Sequence, residues 1–170
     1  MMDKLEKMKK ASKLIANIGK VFQIVSGIIT GIVLVSIILL SVLRNSFNGM
    51  TVVFQTGFTA DNMGYWAAKL ADEGRISDAF LVFGISALLL SLVITLIMHF
   101  VVKIFTRFCN EYSPFLPETI KDLKIICLLA TLLILRNSFG LGLISGFIFW
   151  GIIQLYEYGC ELQNQADETL

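Results

Sequence analysis

The sequence predicts an all-α integral membrane protein, a bundle of four transmembrane helices with both termini in the cytoplasm. The 170 residues are 56 % hydrophobic and 16 % charged, with a mean hydropathy of +0.77. Soluble domains carry about 25 % charged residues. Long stretches contain no ionisable side chain, and the basic residues lie mainly on one side of these stretches. The composition excludes an ordinary soluble enzyme, a disordered tail and a protein with a broad basic face for nucleic acid.

Three apolar stretches are long enough to cross a bilayer as helices. Residues 21–43 and 139–156 contain no Asp, Glu, Lys, Arg or His, and residues 80–102 contain only His99. The hydrocarbon core of a bilayer takes about 20 helical residues. The stretches are apolar on every face, whereas barrel strands alternate. Residues 21–43 are too long for the apolar region of a signal peptide and lead into Arg44 without a small-residue cleavage site, so we expect a retained anchor.

A fourth segment is shorter and carries charges at its ends. Residues 123–135 alone suit a re-entrant or interfacial helix as well as a span. Residues 120–138 reach the length of a span, with Lys121 and Lys124 near one end and Arg136 near the other. Long basic side chains can extend to both interfaces. We expect this segment to span and to form a hairpin with the helix that follows it, and the re-entrant alternative stays open.

The distribution of basic residues predicts the orientation. With four spans, ten Lys and Arg fall on one side and four on the other, and the richer side faces the cytoplasm. The predicted order is a Lys-rich cytoplasmic amphipathic helix (1–20), transmembrane helix 1 (21–43), an extracytoplasmic loop of about 35 residues (44–79), transmembrane helix 2 (80–102), a cytoplasmic elbow (103–119), transmembrane helices 3 (120–138) and 4 (139–156), and an acidic cytoplasmic tail (157–170). The net charge of the chain is only +1 because the charge of +4 on residues 1–20 cancels the charge of −4 on the tail.

The segments outside the spans have simple structural interpretations. The N-terminal lysines favour a helix on the anionic inner leaflet. In the outer loop, residues 51–56 favour a short strand and residues 59–73 a short helix, with Tyr65 and Trp66 as interface anchors. The loop is either a packed connector, which we favour for its small size, or a small sensor or lid.

Several residues mark the ends and contact faces of the helices. Pro114 and Pro117 form the elbow, where Pro117 suits the first turn of a helix. Arg44 and Arg136 are further interface anchors. Two small-xxx-small patterns, Gly27/Gly31 and Gly142/Gly146, predict close helix packing within the chain, with a homodimer as the alternative.

The sequence offers little chemistry. Its one histidine, His99, has no carboxylate near it in a predicted span, as a proton relay would need. The three cysteines match no zinc spacing and all lie near the predicted inner face, which fits reduced thiols. No phosphate-binding loop, nucleophile elbow or dinucleotide loop is present. We expect a non-enzymatic protein with no catalytic residue, no metal and no cofactor.

The last third of the chain carries a resemblance. Residues 114–126 read Pro-Phe-Leu-Pro-Glu-Thr-Ile-Lys-Asp-Leu-Lys-Ile-Ile, and residues 159–163 read Gly-Cys-Glu-Leu-Gln before the Asp-Glu-Thr-Leu terminus. These stretches resemble the bacterial membrane family catalogued as domain of unknown function 2975. The resemblance implies four helices, a short third segment that spans, an acidic cytoplasmic C-terminus and a neighbouring gene for a small helix-turn-helix regulator. It implies no activity.

Three functions are compatible with these features. Our leading hypothesis is a regulatory protein of the bacterial plasma membrane that binds a small cytoplasmic helix-turn-helix transcription regulator, without contacting nucleic acid itself. The tail acids would attract the basic surface of such a partner; they are Glu157, Glu161, Asp167 and Glu168. The plain alternative is that the tail pairs with Lys121 and Lys124. The other functions are permeation of a small molecule by an oligomer, and an accessory subunit with an exposed Gly or Ser face.

Overall fold

The computed structural model describes residues 2–43, 64–110 and 115–168. Within these ranges 94 % of the residues are helical and none is in a strand. The helices are α1 (Met2–Val42), α2 (Tyr65–Asp72), α3 (Ile76–Asn110), α4 (Pro117–Asn137) and α5 (Phe139–Glu168). The all-helical prediction is confirmed. The strand predicted at residues 51–56 lies outside the described ranges.

Three of these helices are long and apolar enough to cross a membrane. They cover Glu6–Val42, Ile76–Asn110 and Phe139–Glu168, and only 6 % of the most apolar window of each is buried by the protein. Their side chains therefore expose apolar surface all round, which suits lipid as the solvent. The helix α4 is 21 residues long and is not among the three. Its four charged residues between Ile120 and Asn137 account for the difference.

The first helix is continuous. It has 41 residues, which is about 60 Å at 1.5 Å per residue. The Lys-rich stretch that the sequence predicts as a surface helix therefore forms the first half of α1. Within that apolar stretch, the hydroxyls of Thr30 and Ser36 donate to the carbonyls of Ser26 and Ile32 at 2.8 and 2.9 Å. These bonds satisfy the polar groups where water is absent.

The chain forms two compact units, one of residues 25–92 and one of residues 1–24 with 93–170. In the first unit, the short helix α2 is flanked by Gly64 (φ 81°) and Gly74 (φ 78°), where only glycine adopts the backbone without strain. Its Ala67 packs with Ala79 of α3 in a small buried core. The predicted helix at residues 59–73 is thus present from Tyr65 within the described part.

In the second unit, the start of α1 runs antiparallel to the end of α3. Ser12, Ala16 and Gly19 are buried at helical spacing. A Cβ on Gly19 would lie 2.8 Å from Val102 Cγ2. Near the opposite end of this contact, the Cys109 thiol lies 3.9 Å from the carbonyl oxygen of Lys9. Small side chains allow the two backbones to approach closely.

The helices α4 and α5 form a tight hairpin in the same unit. Ser138 is the one residue between them; its N–H donates to the Ile134 carbonyl, and its own carbonyl accepts from the Gly142 N–H, both at 2.9 Å. A Cβ on Gly142 would lie 2.7 Å from the Cα of Leu135. Glycine at this position therefore lets the two arms meet immediately after the turn.

Candidate functional site

An ion cluster joins α3 to α4. Asp122 is only 5 % exposed. Its Oδ1 accepts from Lys103 Nζ at 3.0 Å, and its Oδ2 accepts from Arg107 Nη1 at 2.7 Å. Arg107 also lies 3.5 Å from the carboxylate of Glu118, which is largely exposed. The cluster satisfies both oxygens of a buried charge, as a buried carboxylate requires.

Helical spacing brings these groups together. Lys103 and Arg107 are one turn apart on α3, and the buried Thr119 and Asp122 are three residues apart on α4. Asp122 lies between Lys121 and Lys124 at the predicted end of a span, and its burial was not predicted. The signal was available: Thr119, Asp122 and Ile126 lie on one face at i, i+3 and i+7.

The elbow is fastened to α5. The backbone N–H of Leu116 donates to the hydroxyl of Tyr156 at 3.1 Å. The rings of Phe115 and Tyr156 pack with centroids 5.5 Å apart, and a Cβ on Gly159 would overlap the Phe115 ring. Pro117 occupies the first turn of α4, as predicted from its sequence context. Pro114 lies outside the described residues.

This contact joins the two stretches that carry the family resemblance. Phe115 and Leu116 belong to the Pro-Phe elbow, and Gly159 opens the Gly-x-x-Leu-Gln stretch. The two are more than forty residues apart in sequence and touch in the structure. A glycine at 159 is explained by the ring that covers it, because any side chain there would collide with Phe115.

The tail acids divide into two groups. Glu157 accepts from Lys124 at 2.6 Å and from the Gln154 amide at 3.2 Å. Glu161, Asp167 and Glu168 are exposed along the end of α5. The pairing that we gave as the plain alternative thus holds Glu157 on Lys124. Three carboxylates remain directed to solvent.

The glycine patterns differ in their surroundings. Gly142 packs on Leu135, and a Cβ on Gly146 would lie 3.4 Å from Thr131 Cγ2, so this pair faces α4. Gly27 and Gly31 are exposed, and a Cβ on either would meet nothing within 4 Å. The Gly27/Gly31 pair therefore provides no close packing among the described residues.

A groove runs beside the Gly142/Gly146 pair. It has a volume of about 390 Å³ and is open and almost wholly apolar. Its lining residues are Thr131, Leu135, Gly142, Leu143, Gly146, Phe147 and Trp150. Such a surface offers a polar solute no hydrogen-bonding path, so it gives the transport hypothesis no support.

The predicted interface anchors are exposed where they are described. Tyr65 and Trp66 are 67 % and 69 % exposed, and their rings meet edge to face at 5.5 Å. Arg136 is exposed in the last turn of α4. Arg44 lies outside the described residues.

Reactive chemistry is sparse at these contacts. The ring Nδ1 of His99 lies 3.4 Å from the Gln23 amide nitrogen. Cys160 is buried, and burial, with the nearby Glu157 carboxylate, raises the pKa of its thiol. The described residues hold no group of three or more His, Cys, Asp or Glu side chains placed to bind a metal. The ion cluster and the elbow contacts hold the ends of neighbouring helices together.

Comparison with known proteins adds no relative. No family model matches the chain, and neither a curated protein nor a solved structure matches it. The family resemblance of the last third therefore rests on the residues quoted for it.

Proposed function

We propose that this chain crosses the membrane four times, with both termini in the cytoplasm, and holds an acidic helix end there for a protein partner. The hairpin geometry supports the fourth span. The start of α4 meets residues 156–159 of α5, and the two helices adjoin again at their turn. Both arms, Pro117–Asn137 and Phe139–Gly159, contain 21 residues, about 31 Å including the charged turns at their inner ends. If α5 spans, α4 beside it spans the same thickness.

The ion pairs support a common inner level for three helix ends. Lys103 follows the apolar stretch of α3 directly and bonds to Asp122 near the start of α4. Lys124, half a turn later, bonds to Glu157, which directly follows the apolar stretch of α5. Charged side chains outside the hydrocarbon can pair without the cost of burial in lipid. Basic residues at this level favour the cytoplasmic side.

The observation that carries the functional proposal is the exposed acidic end of α5. Nine residues of this helix continue past Gly159, about 13 Å, and they carry the exposed Glu161, Asp167 and Glu168. The elbow packs against α5 just before this extension, through the contact of Phe115 with Tyr156. A helix held at one end and acidic along its exposed part suits a small protein with a basic face, such as a helix-turn-helix regulator.

Co-purification with a small helix-turn-helix regulator, of the kind that the family resemblance implies is encoded nearby, tests the proposal. The sequence offers a matched pair of variants, because Asp-Glu occurs at 167–168 and again at 72–73, exposed in both places. We expect D167N/E168Q to reduce recovery of the regulator about tenfold, since each rim charge contributes about 0.5–1 kcal/mol. D72N/E73Q, on the opposite side of the membrane, should leave recovery unchanged. No association with the wild-type chain, or equal loss in both variants, contradicts the proposal.

A second candidate function is that of an accessory subunit in a larger membrane complex. The exposed Gly27/Gly31 face of α1 favours it, because such a face packs closely against another helix and here meets none among the described residues. Cross-linking in native membranes tests this, with a photoactivatable benzophenone maleimide attached to G27C so that no partner thiol is needed. A product that is larger than the monomer, differs from twice the monomer mass and is absent for the single-cysteine variant I28C supports the complex, and its absence for both removes the support. The native cysteines are replaced in both proteins.

A further inference from the structure

Basic side chains from three helices lie at one level of the second unit. Gly19 of α1 contacts Val102 of α3, so the next residues, Lys20 and Lys103, lie at nearly the same height. Lys103 bonds to Asp122 of α4. Asp122 also bonds to Arg107, so its height lies between those of Lys103 and Arg107, which are one helical turn apart, and Lys121 lies about 1.5 Å from Asp122 along α4. Lys20 and Lys121 are both exposed.

This level coincides with the inner ends of the apolar stretches. The first stretch begins directly after Lys20, and the second ends directly before Lys103. The side chains at this level therefore meet the phosphate layer of the bilayer. Asp122 is buried and already occupied by Lys103 and Arg107, so it does not neutralise Lys20 or Lys121.

The lysines nearer the N-terminus lie elsewhere. The start of α1 packs along α3 from Gly19 to Lys9, and Lys9 lies beside Cys109, beyond the apolar stretch of α3. This part of α1 therefore leads away from the bilayer instead of lying on it. Along the helix axis, Lys13 and Lys10 are about 10 and 15 Å further from the lipid than Lys20. The Debye length is about 8 Å at physiological salt, so the lipid potential there falls to about a quarter or less.

We propose that Lys20 and Lys121 bind the phosphates of anionic phospholipids, while Lys10 and Lys13 do not. A lysine close to an anionic leaflet is attracted to it, and the attraction decays over the Debye length. The binding surface is thus a belt defined by Lys20, Lys103 and Lys121, and the N-terminal lysines are left for the cytoplasm. This assignment concerns lipid and is independent of any protein partner of the acidic tail.

The test compares two double variants with the same charge change, K20Q/K121Q and K10Q/K13Q. Each protein is reconstituted in phosphatidylcholine vesicles with a trace of spin-labelled phosphatidylglycerol or spin-labelled phosphatidylcholine. Spin resonance then gives the preference of the protein boundary for the anionic lipid. All four substituted side chains are exposed, and circular dichroism verifies that each variant is folded.

We expect the wild type to prefer phosphatidylglycerol and to lose that preference in molar salt. K20Q/K121Q should remove about half of it or more, and K10Q/K13Q about a quarter or less, in proportion to the decay of the potential. An equal or larger loss in K10Q/K13Q would mean that the start of α1 lies on the leaflet, and it would overturn the proposal. No preference in the wild type would overturn it as well.

Discussion

Replacing Asp122 by Asn tests whether the α3–α4 ion cluster stabilises the fold. The change keeps the shape of the side chain but removes its charge and turns one acceptor oxygen into a donor. That donor then faces Lys103 or Arg107, which are donors themselves. Breaking a fully buried ion pair costs about 3–5 kcal/mol. The side chains of Lys103 and Arg107 are 42 % and 25 % exposed, so water recovers part of this and we expect a loss of about 2 kcal/mol.

The assay is unfolding in mixed micelles of a mild detergent and SDS, followed by tryptophan fluorescence. E118Q is the matched control, because Glu118 contacts the same Arg107 at 3.5 Å while its side chain is 81 % exposed. An exposed pair contributes about 0–1 kcal/mol, so its loss should be small. If D122N unfolds at the same SDS fraction as E118Q, the buried cluster does not stabilise the bundle and the reasoning is refuted.

Three further predictions concern close contacts in the hairpin. G159A should destabilise the protein by about 1–3 kcal/mol because the new methyl overlaps Phe115, and F115A in the same chain should recover part of that loss in a double-mutant cycle. G142A should destabilise the protein by a similar amount because its Cβ would meet Leu135. The control G140A, whose Cβ would have nothing within 4 Å, should be neutral or stabilising by about 0.5 kcal/mol. Equal effects of the two variants would contradict the hairpin geometry. The Cys160 thiol should react with a maleimide at least about tenfold more slowly in the folded protein than in SDS, because it is 5 % exposed and its raised pKa lowers the thiolate fraction at neutral pH; equal rates would mean that Cys160 is not buried in the folded protein.

The sequence predicts the helices well because lipid leaves few alternatives. Uncharged stretches of about 20 residues must form helices when no water is present to bond the backbone. The stretches 80–102 and 139–156 accordingly lie inside α3 and α5, and 21–43 lies inside α1 except for its last residue. The helices are longer than these stretches, since α1 has 41 residues and α3 has 35. The length of an apolar stretch predicts where the helix leaves the hydrocarbon. A helix that packs against a neighbour continues past that point.

The contacts between helices were harder to predict, because they depend on which faces meet. Asp122 resembles any other charge at a helix end until the depth of its burial is known. Gly159 gave no signal in its own stretch, because the Phe115 ring that requires it comes from a distant part of the chain. Gly27/Gly31 and Gly142/Gly146 have the same spacing and similar apolar neighbours, yet only the second pair meets another helix in the described residues. Spacing alone does not say which small-residue face has a partner.

The fourth span is the central claim, and the side of the membrane that holds each terminus tests it most directly. Epitope tags on the N-terminus and on the C-terminus are probed with antibody and protease in inverted vesicles and in intact right-side-out vesicles. We predict that both tags are accessible only in inverted vesicles, which expose the cytoplasmic face. A C-terminal tag that is accessible only in right-side-out vesicles, with the N-terminal tag still cytoplasmic, would mean that α4 does not span, and it would contradict the account.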